Sequence, residues 1–209
     1  MVLASNNAGK LAELRELLAP LGLRLLPQAE LGVTEAEEPH RTFVENALAK
    51  ARHAARATGL PALADDAGLC VDAWGGQPGV DTAHFATRFG LPRGDANNVR
   101  VLLERLRGEQ NRRAAMVSVL VALRSAADPE PLIAVGRVVG EIAHAPVGDH
   151  GFGFDPVMVL PAFGLSFAQL PPEVKNLHSH RGQAARQVVE LIRRNWLAGP
   201  VGAGDGGRT

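Results

Sequence analysis

Two apolar stretches in the second half of the chain, MVSVLVAL (116–123) and PLIAVGRVVGEIA (131–143), limit the fold more than any other feature. Both are rich in β-branched residues, and Asp128-Pro129 between them is a turn signal. They predict a long antiparallel pair, which needs further strands and helices to cover its faces. Met1–Ala4 reads as a short buried strand and Leu23–Leu26 as a second. Between them Leu11, Leu14, Leu18 and Leu21 follow helical spacing. Phe43–Thr58 reads as an Ala-rich helix stopped by Gly59-Leu60-Pro61. PALADDAGLCVDAWGG (61–76) reads as strand, acidic turn, strand, and GFGFDPVMVLP (151–161) as a glycine turn into a strand. Asp95 is a candidate N-cap for a helix to about Arg107. Ser179 is another, for a last helix whose apolar stripe is Ala184, Val188, Leu191 and Ile192. The expected fold class is α/β in the mixed α+β sense, one mixed β-sheet with helices on its flanks.

Composition acts here by exclusion. Lys+Arg and Asp+Glu both number 22, so there is no net charge to favour general nucleic-acid binding, and no nucleic-acid partner is expected. A local basic pocket for a small anion remains open. No stretch reaches the roughly 18 apolar residues of a membrane span, so no membrane partner is expected. Cys70 is the only cysteine, which rules out an intrachain disulfide, and the start lacks a leader pattern. Both suit a cytoplasmic protein. Cys70, Trp74 and Trp196 read as packing residues, and the arginines at 105, 107, 112 and 113 as a solvated face. His40, His53, His144 and His150 lack metal-ligand spacing. The 209 residues suit a single domain over 1–197, in two lobes, followed by a Gly-rich tail over 198–209 expected to be disordered.

Four motifs can carry chemistry. The first is Ser5-Asn6-Asn7-Ala8-Gly9-Lys10, where a strand turns into a helix. Backbone N–H groups at a helix start with a lysine beside them make an anion site, and Gly9 lets a ligand approach closely. The bland alternative is a helix cap with a surface lysine. The second is Ala64-Asp65-Asp66-Ala67-Gly68. Two adjacent carboxylates either meet a cation, cap a turn or point in opposite directions. Mg²⁺ shared with substrate phosphates fits such a pair, and Glu37-Glu38 can supply a further ligand. The third is Gly151-Phe152-Gly153-Phe154-Asp155, where an aromatic face can stack on a base or simply fill the core. The fourth is Lys175 with Ser179-His180-Arg181, a donor-rich helix start. The chain holds only three lysines, Lys10, Lys50 and Lys175, against nineteen arginines (22 Lys+Arg less 3). Each lysine lies near one of these motifs, where a compact ammonium differs from a guanidinium. Together the parts describe a nucleoside triphosphate site.

SNNAGK, TFVENALAKA, ADDAGL, GFGFDP and SHRGQA, in this order, resemble the inosine triphosphate pyrophosphatase family, the non-canonical purine NTP pyrophosphatases, over roughly residues 1–195. The resemblance implies an elongated central sheet, two lobes with the active site in the cleft between them, and a homodimer. It implies Mg²⁺-dependent hydrolysis of ITP, XTP and dITP to the monophosphate and pyrophosphate, which cleans the nucleotide pool. Ser5, Asn6, Asn7, Ala8, Gly9 and Lys10 would hold the triphosphate, with Lys50 and the Ala67 backbone assisting. Asp66 would be the general base and a metal ligand, and Glu38 the second ligand. Phe152, Gly153, Phe154, Asp155, Lys175, His180 and Arg181 would hold the base. The chain departs from the family pattern at Ala67, usually serine, and at Asp81, Thr82 and His84, where tyrosine, serine and arginine are usual. Rival readings are a Maf-like pyrimidine NTP pyrophosphatase, a nucleotide sensor without catalysis, and a plain structural domain.

Overall fold

The computed structural model describes residues 1–198, so the expected tail, Ala198 apart, lies outside the described residues. One sheet holds β1 (Val2–Leu3), β2 (Leu26–Pro27), β3 (Ala62–Val71), β4 (Arg113–Leu123), β5 (Leu132–Ile142), β6 (Met158–Leu160) and β7 (Leu165–Ser166). Their spatial order is β2-β1-β3-β4-β5-β6-β7. β1 runs parallel to β2 and β3, and every other pairing is antiparallel, so the sheet is mixed. The two apolar stretches form the β4–β5 ladder at its centre. The helices are α1 (Ala8–Leu18), α2 (Phe43–Thr58), α3 (Asp95–Arg105), α4 (Pro172–His178) and α5 (His180–Ile192). None of those described is long and apolar enough to cross a membrane.

The alternation of β3 explains how helices cover both faces. Leu63 points to one face, where it meets α1 and α5 through Leu14, Leu18, Ala184 and Val188. Ala62 and Ala64 point to the other, against the alanines of α2 at 47, 51, 54 and 55. Small residues on both sides let α2 lie close to the sheet. A third core, around Leu69, Phe85, Leu102, Met116, Phe154 and Phe167, fills the far end beneath α3 and the 3₁₀ segment Gly79–Phe89. Contact is tighter still between β5 and α5: a Cβ at Gly136 would collide with the His180 carbonyl.

Several expectations change. The acidic turn at 64–68 does not exist: β3 runs unbroken through Asp65 and Asp66, which pair with Leu120 and Val119 of β4. The second strand forms at Leu26–Pro27 rather than Leu23–Leu26, because its register is set by Val2↔Leu26, while Leu23 and Leu25 pack against the α1–α5 core. Gly94 takes the N-cap position of α3, and Asp95, its first residue, uses its carboxylate elsewhere. Arg112 is not on a solvated face; its guanidinium donates to the carbonyls of Leu106, Ile142 and Ala143. The 79–89 segment forms 3₁₀ turns although its sequence carries no clear helical signal. Ser179 does cap α5, accepting from the Gly182 N–H at 3.0 Å.

Candidate active site

Successive residues of a strand face opposite ways, so the neighbours Asp65 and Asp66 are delivered to different helices. Asp65 faces α1 and α5. One oxygen accepts from the Ser118 hydroxyl at 2.6 Å, and the other from Arg181 Nε and Nη2 at 3.1 and 3.0 Å. The Lys10 ammonium lies 3.1 Å from it. Burial pushes the Asp65 carboxyl up, but Arg181 and Lys10 reverse this and hold it far below the ordinary carboxylate range. Lys10 itself is pulled down by burial, against the attraction of Asp65. Arg181 also donates to Glu13 of α1, and Glu13 accepts from Lys175 at 2.6 Å. Burial disfavours the Arg181 charge, but Asp65 and Glu13 raise its pKa further.

Asp66 faces α2. Its Oδ1 accepts from Lys50 at 2.7 Å, and Lys50 also donates to Glu38 at 3.1 Å. Its Oδ2 is buried and has no partner among the described residues. Burial pushes the Asp66 carboxyl up to about 6, although Lys50 opposes it. Burial also works against the Glu38 charge, but Lys50 outweighs it and holds Glu38 below its ordinary value. Lys50, between two carboxylates, stays above its ordinary value despite burial. A carboxylate with a free buried oxygen and a pKa near neutrality is suited to accept a proton or to ligate a cation.

Both faces border a cleft of about 390 Å³, lined by Ser5, Asn6, Asn7, Lys10, Glu38 and Lys50 together with the two aspartates. The Asn7 side chain caps α1 by accepting from the Lys10 N–H at 3.0 Å. Gln28 donates to the Asn6 side-chain oxygen Oδ1 at 3.2 Å, which leaves the Asn6 NH₂ group for the cleft. Ala8 and Gly9 do not line it. Gly9 instead makes room for Phe152, since a Cβ there would lie 2.5 Å from the ring. The close approach expected of a ligand at Gly9 is thus made by the protein itself.

A smaller pocket of about 100 Å³ adjoins this cleft, sharing Asn7, Lys10, Ala67 and Ala83 with it. It is lined by Phe152, Gly153, Asp155, His180 and Arg181. The Phe152 ring lies beneath two cations, Lys175 Nζ at 5.0 Å and Arg181 Cζ at 5.5 Å from its centroid. Phe154 differs from Phe152: it is 1% exposed and belongs to the core, although it also lines the pocket. Asp155 accepts from the Phe152 N–H at 2.9 Å and from Lys175 at 2.6 Å. Burial raises its pKa against the pull of Lys175. Lys175 lines neither pocket; it ties Asp155 to Glu13. Burial and the Arg181 charge push His180 well below its ordinary value, so the ring is neutral, and its buried Nδ1 has no partner among the described residues.

Glu13, Ser118 and Gln28 escaped sequence reasoning, and Asp95 was read there only as a helix cap. Only Glu13 had a signal, its i, i+3 placement beside Lys10 on α1. At the departures, Thr82 Oγ1 is used within the fold, accepting from the Leu69 N–H at 2.8 Å. Asp81 and His84 line the cleft, and Asp81 pairs with Arg88 at 3.2 Å. Ala67 is half-buried between the two pockets. No group of three or more His, Cys, Asp and Glu among the described residues forms a ready-made metal cage.

Comparison with known proteins matches residues 1–191 to the model of the Ham1 family. A dITP/XTP pyrophosphatase of Acidovorax sp. (strain JS42) is 73% identical over 199 residues, covering 95% of this chain and 97% of the relative. Among solved structures, a HAM1 protein from Coxiella burnetii superposes with a TM-score of 0.84 at 44% identity, covering 92% of this chain and 98% of that one. The Staphylococcus aureus Ham1 protein gives a TM-score of 0.81 at 34% identity, covering 92% and 97%.

Proposed function

The chain belongs to the Ham1 family, and from that membership we propose that it is a nucleoside triphosphate pyrophosphatase that clears dITP, XTP and ITP from the nucleotide pool. One observation carries the chemistry: Asp66, whose buried Oδ2 has no partner among the described residues, lines a cleft that begins at a helix start and adjoins an aromatic pocket. In this reading Asp66 takes a proton from water as the water oxygen bonds to the α-phosphorus. The bond from the α-phosphorus to the bridging oxygen breaks, and pyrophosphate leaves with that electron pair. A base with a pKa of about 6 is ionised at neutral pH and still basic enough to assist.

The donor set fits a hard divalent cation, and Mg²⁺ is the proposed cofactor. Five carboxylates line the larger cleft (Glu35, Glu38, Asp65, Asp66 and Asp81) against three fixed cations (Lys10, Lys50 and Arg93). A site with that balance takes a polyphosphate only with added positive charge. Glu38 and Asp66 would hold the ion, which when bound neutralises and polarises the phosphates. The protein's own part is to present the Asn6 side-chain amide, beside the α1 start, to the phosphate chain. Lys10 and Lys50 face the same cleft.

At the purine end, Phe152 offers a stacking face. Arg181 has five N–H groups, three of them committed to Asp65 and Glu13, which leaves two for a 6-oxo group. Adenine presents a donor there and is disfavoured. The remaining proposals are a homodimer, a cytoplasmic location and no nucleic-acid partner. Pyrophosphate release from dITP, XTP, ITP, ATP, GTP and dTTP with Mg²⁺ tests the activity, and hydrolysis in ¹⁸O-water must label the monophosphate. Release of labelled pyrophosphate alone, or equal turnover of dTTP, rejects the reading.

A further inference from the structure

The first turn of α3 reaches both ends of the site. Asn98, 2% exposed, accepts from the Ala86 N–H at 2.8 Å and donates to the Ala83 carbonyl at 3.3 Å. It thereby fixes the 79–86 segment, whose Val80, Asp81, Ala83 and His84 line the phosphate-side cleft. Three residues earlier, Asp95 Oδ2 accepts from the Gly153 N–H at 2.7 Å, across 58 residues of sequence. Among the described residues this is the only hydrogen bond that residues 151–154 make to anything beyond 151–158. Gly153 adopts φ 63, a left-handed conformation that favours glycine, and it follows Phe152 directly. Asp95 and Gly153 both line the smaller pocket, so the bond crosses its wall rather than lying outside it.

We propose that Asp95 is a positioning residue for the purine end of the site: its carboxylate anchors Gly153 and so holds the Phe152 ring at a fixed distance from the floor formed by His180 and Arg181. This rests on the pyrophosphatase reading, since the group positioned is the proposed stacking ring. Asp95 touches neither the phosphate cradle nor Asp66. Its loss should therefore weaken binding of the base and leave both phosphate binding and the chemical step in place.

The test compares Asp95→Ala and Asp95→Asn with the parent chain. For Asp95→Ala, KM for dITP should rise about tenfold, equivalent to about 1.4 kcal/mol, with kcat within about threefold of the parent. Inhibition by inorganic tripolyphosphate, which carries no base, should be unchanged, and amide hydrogen exchange at Gly153 should quicken. Asp95→Asn keeps an acceptor oxygen and should restore most of the loss. An unchanged KM in Asp95→Ala, a parallel weakening of tripolyphosphate inhibition, or an Asp95→Asn protein as impaired as Asp95→Ala each overturns the assignment. Failure of the parent chain to hydrolyse dITP overturns the pyrophosphatase reading itself, a separate outcome.

Discussion

Asp65 and Asp66 are adjacent on one strand and nearly equally buried, at 1% and 4% exposure. Their surroundings nevertheless make them opposites. On one face of β3, Asp65 meets a hydroxyl, a guanidinium and an ammonium, and its charge is fixed. On the other, Asp66 meets one ammonium, keeps an oxygen without a partner among the described residues, and has its carboxyl pushed up to about 6 by burial. The pleat of a strand thus separates a carboxylate that organises the site from one free to react. The helix each face meets supplies the difference: α1 and α5 bring two cations to Asp65, while α2 brings one that Asp66 shares with Glu38.

The largest test of this contrast is Asp66→Asn. Loss of the base should lower kcat for dITP by about 10²- to 10⁴-fold. The same protein should melt no lower than the parent at pH 7 in EDTA, because it removes a buried charge that burial disfavours. Retention of more than about a tenth of parent kcat would strip Asp66 of its role. Asp65→Ala should do the reverse and damage the fold. It leaves Arg181 and Lys10 buried with less compensation, a loss of about 3–5 kcal/mol for a broken buried pair, read from urea unfolding. A parent-like midpoint would show that the network carries little stability.

The pH dependence sharpens the comparison at a smaller scale. The folded-state pKa of Asp66 lies above its unfolded value, so the folded protein takes up the proton first as pH falls. In EDTA the parent should gain stability over Asp66→Asn below about pH 6, by up to about 1.4 kcal/mol per pH unit down to the unfolded value near 4. Asp65, with its pKa depressed, contributes in the opposite sense; its stabilisation persists at neutral pH and disappears only in acid below that unfolded value. A stability difference between parent and Asp66→Asn that is flat from pH 7 to 5 would contradict the raised pKa. The smallest expected effect is that of Lys10→Arg. A guanidinium keeps the charge but not the compact shape at the α1 start, so KM for dITP should rise by about three- to tenfold. An unchanged KM would show that charge alone serves there.

Much of this was legible in the chain. The β4–β5 pair, α2 over Phe43–Thr58 and the Ser179 cap follow from local patterns, and the structure forms them. The site motifs were also visible, and most of their residues line the cleft or the smaller pocket that adjoins it. The Asp65-Asp66 pair was misread as a turn because two neighbouring carboxylates look like a break in a strand. What keeps them in the ladder lies far away: Ser118 is 53 positions on and Arg181 116 positions on. No local pattern encodes such compensation. Gly9 was assigned to a ligand for the same reason, since its neighbour Phe152 comes from a distant loop. Glu13 and Asp95 carry no motif; their roles arise from the helix faces on which the fold places them.

The absence of a side chain at Gly136 also decides where this enzyme can be re-tuned. The backbone of α5 rests directly on β5 there, so even a methyl group would lift the helix and displace His180 and Arg181 together. A laboratory selection for altered base preference gains nothing from diversifying that floor, where each change moves two groups at once and strains the sheet. The roof, at Phe152 and at Asp95 in the first turn of α3, is held by the ring's contacts with Gly9 and two cations and by separate hydrogen bonds to Asp155 and Asp95, and it tolerates variation piece by piece. A library confined to the roof should yield folded variants with shifted substrate ranking, whereas an equal library on the floor should yield mainly insoluble protein.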